Sequence, residues 1–382
     1  MTWTGRLSPT ARHRLSARGN AATRATASGA GPEGIATTVA RWGGAHGSRM
    51  PSWRPLLKSN SHAAMYCDPG MVEALSRGLG QAAYVIEARA GNEVVGVLPL
   101  IFLKGFLFGR FLVSLPYASW AGVVAGSEEV SHRLIDRAIE LTHEVDADFL
   151  ELRHLHLNRH PGLVEGVTDK VLMRLALSRD PGDNWKLLKS EVRTQVRKSM
   201  KNGLDLCWGG HELLDGFYAV FAHNMRDLGT PVYPKGLFRS MLDLNPSRAE
   251  LGVVRMHGTP IAACLAVHGP GLTEISSAAA LRAYRGTAAN SLLYWRAIER
   301  AIERGQAAFD FGRSTPESPT FIFKSKWGAE PLPVVWQYHL RRGDTQAMRP
   351  ENKKFQLAIR LWRRLPVPVT RILGPMIARG IP

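Results

Sequence analysis

The sequence predicts an α+β fold in which one structural unit is used twice, each copy a mixed sheet flanked by helices. Three observations carry this. Both halves of the 382 residues run through the same order of patterns: hairpin, strand, glycine-bearing loop, long helix, closing strand. The closing strands share wording, with D-A-D-F-L-E-L-R at 146–153 and Q-A-A-F-D-F-G-R at 306–313. The 45% apolar content supplies side chains for two cores of ordinary domain size.

In the first half, helical spacing over 71–79 leads to a strand-like run at 83–88, the turn Ala90-Gly91-Asn92 and a second run at 93–102, a β-hairpin. A third strand covers 110–116, a loop passes Gly122 and Gly126, a helix covers 128–144, and 145–155 closes the unit. The second half repeats this with a hairpin at 249–256 and 261–267 around Gly258, a strand at 273–280, a helix at 290–304 and a strand at 307–311. A helical connector at 184–245 precedes it. The expected division is a disordered basic arm or misassigned start at 1–52, with Met50 as the alternative beginning; lobes at 53–183 and 184–340; and a basic amphipathic segment at 341–382.

The net charge of +17 is concentrated at the ends: residues 1–50 carry +6 and residues 341–382 carry +8, leaving +3 for the body. That distribution argues against a nucleic-acid-binding protein and specific DNA recognition, unless connector and tails form one basic groove. The best apolar run, 94–103, ends at Lys104 and Gly105, short of the ~20 residues a membrane-spanning helix needs. The N-terminal segment lacks the apolar stretch of a secretory signal. Cys67, Cys207 and Cys264 are scattered and odd in number, so neither a disulfide framework nor a zinc site is expected and a cytoplasmic location fits.

The string from Asn290 to Gly305, followed by F-D-F-G-R-S at 309–314, resembles the C-terminal lobe of FemAB-type transferases. F-K-S-K-W-G at 323–328 resembles that family's F-K-x-x-[FW]-G segment, and 95–100 with 113–116 resemble its first lobe. The tail at 355–375 is similar to the FemAB-related branch associated with exosortase (PEP-CTERM) and exopolysaccharide loci. The resemblance covers about residues 55–382. It implies tandem duplicated GNAT-like lobes and transfer of an acyl or aminoacyl group to an amine of a peptidoglycan, exopolysaccharide or other cell-envelope precursor. It implies acyl-CoA or aminoacyl-tRNA as donor substrate, with no permanently bound cofactor. The coiled-coil arm of some peptidoglycan-bridge enzymes does not fit a connector broken by Gly203, Gly209, Gly210, Gly229 and Pro231, so tRNA handling is not indicated. A non-catalytic accessory protein of the same assembly, binding glycan or membrane, is the alternative.

Acyl transfer to an amine needs a held donor, a proton acceptor and a stabiliser for the oxyanion. Tyr284-Arg-Gly-Thr-Ala-Ala-Asn290 opens the long helix of the second lobe, so its N–H groups can meet phosphate. It resembles the R-G-x-G-x-A loop of GNAT enzymes at Arg285 and Gly286, departing at Ala288 and Asn290. Arg193 and Arg197 on the basic connector helix would either clamp a phosphate or form a solvated face. The resemblance puts Lys324 opposite the reacting carbonyl; the rival reading is a surface lysine. Asp310 alternates with Phe309 and Phe311 and so points away from those rings, either into a cleft or onto Arg313 and the following turn. Tyr284, Arg313, Trp327 and Tyr338 are the expected acceptor channel, at the side of the second lobe that faces residues 96–122. His154, His156 and His160 have strand spacing but no further ligand, so no metal is expected. The C-terminal segment either lies on an anionic membrane or packs across the lobes.

Overall fold

The computed structural model describes residues 27–28, 34–42, 53–59, 65–105, 108–166, 170–342 and 353–381. The first half contains strands β1 (Ala27–Ser28) and β2 (Ile35–Trp42), helices α1 (Arg54–Ser59) and α2 (Pro69–Leu79), and the hairpin β3 (Ala82–Ala90) and β4 (Glu93–Gly105). It continues through β5 (Gly109–Val113), β6 (Val124–Ala125), α3 (Glu128–Glu144), β7 (Phe149–His154), β8 (Val164–Glu165) and β9 (Val171–Ala176). The second half contains α4 (Pro181–Leu187), α5 (Ser190–Lys201), β10 (Leu204–Gly209), α6 (Leu214–Leu228), α7 (Lys235–Leu244), β11 (Ala249–Met256), β12 (Thr259–Gly269) and β13 (Leu272–Ala280). After a 3₁₀ turn at Arg282–Thr287 come α8 (Ala289–Glu303), β14 (Ala308–Ser314), α9 (Pro319–Ser325), β15 (Glu330–Pro333), β16 (Val335–Leu340), α10 (Lys353–Trp362) and α11 (Val367–Ala378).

Local chemistry sets the ends of the helices. Asp68 accepts from the Gly70 amide to start α2, and Gly80 ends it in the left-handed conformation. Ser127 caps the Val130 amide at the start of α3. On α8, Leu292, Leu293, Ile298, Ala301 and Ile302 fall on the buried face at helical spacing.

Two sheets result. The first runs β1-β2-β3-β4-β5-β7-β16-β8, with β6 on β4; the second runs β10-β11-β12-β13-β14-β9-β15. In each, one parallel pair sits among antiparallel ones: β5 with β7 and β13 with β14. Helix α3 covers one face of the first sheet, and α8 with α5 covers one face of the second. The largest core lies on the remaining faces, filled by α2, α6 and α7.

The lobes exchange their last strands. β9, from the first half, pairs with β14 and β15 in the second sheet, while β16, from the second half, pairs with β7 in the first. A boundary at 183 therefore does not separate the sheets. Short apolar runs give no partner from sequence, and only pairing reveals the crossing. Two further expectations are corrected. Residues 35–42 are the second strand of the first sheet, so a chain begun at Met50 would lack it; Ile35, Thr37, Thr38 and Val39 supply the β-branched content. The connector is not wholly helical, because Leu204–Gly209 forms strand β10, antiparallel to residues 251–256 of β11. β2, beside β3, and β10, beside β11, are equivalent strands preceding the two hairpins, so the duplication is longer than the patterns indicated.

Candidate active site

The site is built where β13 and β14 meet and part. The two strands are in parallel register only over Leu272–Glu274 against Ala308–Asp310. Beyond that point β13 stays with β12 as far as Ala280, while β14 follows β9. The diverging edge of β13 carries the small side chains Ser276, Ser277 and Ala278, all half-buried. A groove between the diverging strands is the consequence, its β13 wall without a strand partner on that side among the described residues.

At the fork, Glu274 and Asp310 sit side by side on adjacent strands, both buried. Ser119 of the first lobe donates to Glu274 Oε1 at 2.6 Å. The other carboxylate oxygen of Glu274 faces the Tyr66 hydroxyl, both buried and interacting with each other rather than with any third group. Burial, then the charge of Asp310, pushes Glu274 up to about 7. Asp310 accepts from the Gly312 amide at 2.8 Å and from Arg174 on the exchanged strand at 3.4 Å. Its carboxyl is also raised, chiefly by burial, against the opposing pull of Arg174. A carboxyl that burial keeps protonated until near neutrality can, once ionised, take a proton from an amine.

The cations around this pair have separate duties. Lys324 Nζ donates to the carbonyls of Gly312 at 3.0 Å and Arg313 at 2.9 Å, and burial lowers its pKa to about 8. Two of the ammonium's three hydrogens thus hold the β14 bulge. Arg313 lies over the Trp336 ring at 5.0 Å, with burial and the neighbouring charge of Arg153 lowering its pKa to about 10. Arg153 lies over the same ring at 4.3 Å and is bonded to Glu151 and the Ala118 carbonyl. Tyr338 stands on the exchanged strand opposite Glu151. Asp310 pairs with Arg174, not with Arg313.

Trp327 is corrected. It is 2% exposed and packs with Tyr294, Phe311 and Phe323 in the core under α8, on the opposite side of β14 from Asp310. It walls no channel. Arg193 and Arg197 are corrected as well: the first donates to the Lys186 carbonyl and the second lies over Trp185, so both are engaged with α4. The link from α5 to the 285–290 loop is Asn202, whose amide donates to the Thr287 carbonyl at 3.1 Å. With a rise of ~1.5 Å per residue, Arg193 lies roughly 14 Å back along the helix from that link.

At the far end of β13, Arg285 and Gly286 are exposed in the 3₁₀ turn, and Tyr284 and Asn290 are half-buried. Open space surrounds the position a Cβ would take on Gly286, so no steric need for glycine exists there. Ala288, left-handed at φ 59°, starts α8 without a cap of its own; the preceding Thr287 hydroxyl accepts from the Ala289 amide at 3.3 Å, and the first turn has no acidic residue. The positive end of a 15-residue helix therefore opens beside the groove next to Arg285.

Residues 190–324 match the family model described as an acetyltransferase (GNAT) domain. Among solved structures the chain is similar to FemX at 14% identity, covering 69% of this chain and 90% of that one with a TM-score of 0.52. It is similar to the C-terminal domain of a putative lysylphosphatidylglycerol synthetase from Agrobacterium fabrum at 14% identity, 77% and 93% coverage and a TM-score of 0.51. A tandem GNAT protein from the clavulanic acid biosynthesis pathway gives 15%, 81% and 99%, and 0.51. The fold is a tandem GNAT fold. No curated protein matches the chain.

Within the second GNAT-like lobe, Glu274 is the residue that sequence reading passed over. Its signal was present: a single acid in L-T-E-I-S-S-A-A-A, a strand otherwise apolar or small. Tyr66 and Ser119 gave no such signal, because they reach Glu274 only through the packing of one lobe on the other. His154 pairs with Gln337, and His160 with Asp136. Among the described residues no group of three His, Cys, Asp or Glu is placed to hold a metal ion. No described helix is long and apolar enough to cross a membrane.

Proposed function

We propose that the chain is an N-acyl- or aminoacyl-transferase that modifies an amine of a cell-envelope or exopolysaccharide precursor, with its working site in the second lobe. The observation that carries this reading is the fork of β13 and β14, with a buried, raised Glu274 at its apex and the acid-free start of α8 at its mouth. The donor's phosphates rest against Arg285 and the first amides of α8, and its arm lies along Ser276–Ala278. The acceptor amine approaches from the first-lobe side, near Ser119 and Tyr66. Its nitrogen attacks the donor carbonyl carbon, the C–N bond forms, the carbonyl-to-carrier bond breaks, and Glu274 takes the proton the nitrogen loses. Lys324 acts as a positioning residue by fixing the bulge, and Asp310 by sharing the negative charge of the fork. Acyl-CoA is the favoured donor, in keeping with the GNAT match. The likeness to FemX keeps the peptidoglycan and aminoacyl readings in play, and the tail resemblance points to exosortase-linked loci.

One observation favours the non-catalytic alternative: Glu274, Asp310 and Tyr66 are all buried, so an acceptor reaches them only if the lobes separate slightly. Calorimetric titration of acyl-CoA and charged tRNA into the full chain, with amine-acceptor turnover followed alongside, decides between them. Saturable acyl-CoA binding that Arg285→Ala weakens, with turnover that Glu274→Gln abolishes, is expected. Binding of neither donor would leave the accessory reading standing.

A further inference from the structure

Helix α11 is built the wrong way round for a helix on a water-soluble surface. Its small or polar residues Thr370, Gly374 and Ala378, four apart, are buried against the body of the protein. Gly374 is required there, since a Cβ would come within 2.8 Å of the Val232 backbone. The opposite face presents Val369, Ile372, Leu373 and Met376 to solvent, with Ile372 70% and Met376 61% exposed. Helix α10 adds Leu357 and Leu361, one turn apart and both more than half exposed. A surface helix of a soluble protein normally shows the reverse pattern.

The charge of the segment that carries this face has one sign, and the neighbouring exposed acid Asp215 is paired with Lys235 and lies near Arg371. Residues 353–382 contain seven Lys or Arg and no Asp or Glu. Arg360, Arg363, Arg364, Arg371 and Arg379 are all exposed. Beside Ile372, Arg371 and Lys235 line a shallow groove whose other walls are Tyr218, Pro234, Pro368 and Pro375, an apolar cleft with cations at its edge. The helices are firmly seated: Arg226 donates to the Leu365 carbonyl, Arg363 to the Leu228 carbonyl, and the Gln81 side chain to the Arg379 carbonyl. The apolar face is thus held outward by contacts with both lobes.

We propose that the α10–α11 face docks on an anionic lipid bilayer, with Ile372, Leu373 and Met376 entering the headgroup–acyl boundary and the flanking arginines engaging lipid phosphates. Large apolar side chains ringed by cations match that surface in both chemistry and sign. A second copy of the chain matches it poorly, because pairing the faces would bring two wholly basic segments together. The proposal stands independently of the transfer reaction.

The test is co-sedimentation of the full chain with vesicles of phosphatidylcholine, with and without phosphatidylglycerol, at low and high salt, beside light scattering of the protein alone. Binding to the phosphatidylglycerol vesicles is expected, weakening with salt. Arg371→Ala should weaken it about fivefold, the equivalent of ~1 kcal/mol per cation near the surface. The double variant Ile372→Asp with Met376→Asp should lose at least about tenfold. The conservative pair Ile372→Leu with Met376→Leu should bind as the parent does, and far-UV dichroism and thermal midpoints of all variants confirm that each is folded. No binding to anionic vesicles, unchanged binding by the folded Asp pair, or a dimer that the Asp pair dissolves while vesicle binding persists would each overturn the proposal.

Discussion

The two lobes share an architecture and differ at the one place where chemistry would occur. In the second lobe the parallel pair carries Glu274 beside Asp310; at the equivalent positions the first lobe has Val113 beside Glu151. In the second, the strands part after that pair. In the first, the chain beyond Val113 stays on β7: the Ser114 amide donates to the Glu151 carbonyl, the Ser114 hydroxyl accepts from the Arg153 amide, and Ala121 bridges to Arg153. The first turn of the helix following the second fork is free of acid, whereas α3 begins with a Ser127 cap and Glu128 and Glu129 in its first turn. The second lobe has parted strands, a buried acid pair and an acid-free helix start; the first has its strands stapled together, Val113 at the position of Glu274 and two acids at its helix start. Its loop 114–121 instead supplies the wall that covers Glu274.

The sharpest break of this comparison is Glu274→Gln. Removal of a positioned proton acceptor should lower turnover by roughly 10²–10⁴-fold while leaving donor affinity in place. In the parent, kcat/KM should rise with pH through about 7, the value to which burial and Asp310 raise Glu274, and the variant should lose that limb. Stability gives a second readout of opposite sign. Because the folded pKa lies above the ordinary 4.5, the native state holds a proton that the unfolded chain has released between these values, so the group destabilises progressively from about pH 4.5 to 7. Glu274→Gln should therefore match the parent near pH 4 and exceed it above pH 7 by on the order of 3 kcal/mol, measured by denaturant unfolding across that range. Loss of activity without that gain would mean that Glu274 is not the buried, raised acid of the fork.

The next test asks whether the lobes are separable at all. Gly122 packs on His154, and a Cβ there would come within 2.0 Å of its ring. Gly122→Ala is thus expected to cost about 1–3 kcal/mol through overpacking of the first lobe. Since β9 and β16 are exchanged, that loss should lower one shared transition in differential scanning calorimetry, with calorimetric and van't Hoff enthalpies in agreement. Two transitions, only one of them shifted, would show the strand exchange to be energetically minor.

These features were unequally legible in the sequence. Hairpins, long helices and closing strands were readable because each has a strong local period: α3 spans Glu128–Glu144 as its pattern predicts. The duplication was readable, but its register was one residue out. The shared wording sets Arg153 against Arg313 and Glu151 against Phe311, whereas the inward-facing partner of Glu151 is Asp310. A bulge at Gly312, left-handed at φ 73°, absorbs the difference. Strand exchange, the engagement of Lys324 with main-chain carbonyls and the burial of Trp327 were not readable, because each depends on contacts between segments far apart in the chain. Glu274 was visible as an acid in an apolar strand, yet only its position at a fork gives it meaning.

A milder contrast concerns the helix starts. Arg285→Ala in the second lobe should weaken acyl-CoA binding about five- to tenfold, as expected for loss of one charge-assisted contact to phosphate. Glu128→Ala in the first lobe, at an exposed helix start of the opposite character, should leave it unchanged. Titration calorimetry of both variants measures this directly, and equal effects would place the donor somewhere other than α8.

The smallest effect on binding and turnover should come from Gly312→Ala. An added Cβ would meet only the Ile275 carbonyl, at 3.4 Å, so space is adequate and the cost is backbone strain at positive φ, about 1–2 kcal/mol. The bulge lets Asp310 and Arg313 both face the first lobe across two intervening residues, where the first lobe needs only Leu152 between Glu151 and Arg153. The carbonyl of Gly312 also accepts from Lys324, and its amide donates to Asp310. If the bulge is held by those two bonds, Ala should retain them, and urea unfolding should register the strain alone, with the pH dependence of Glu274 unmoved. A loss well beyond 2 kcal/mol, accompanied by a shift in that pH dependence, would mean that the strained peptide has swung away from Asp310 and Lys324 and that the second lobe relies on glycine itself for the geometry of its fork.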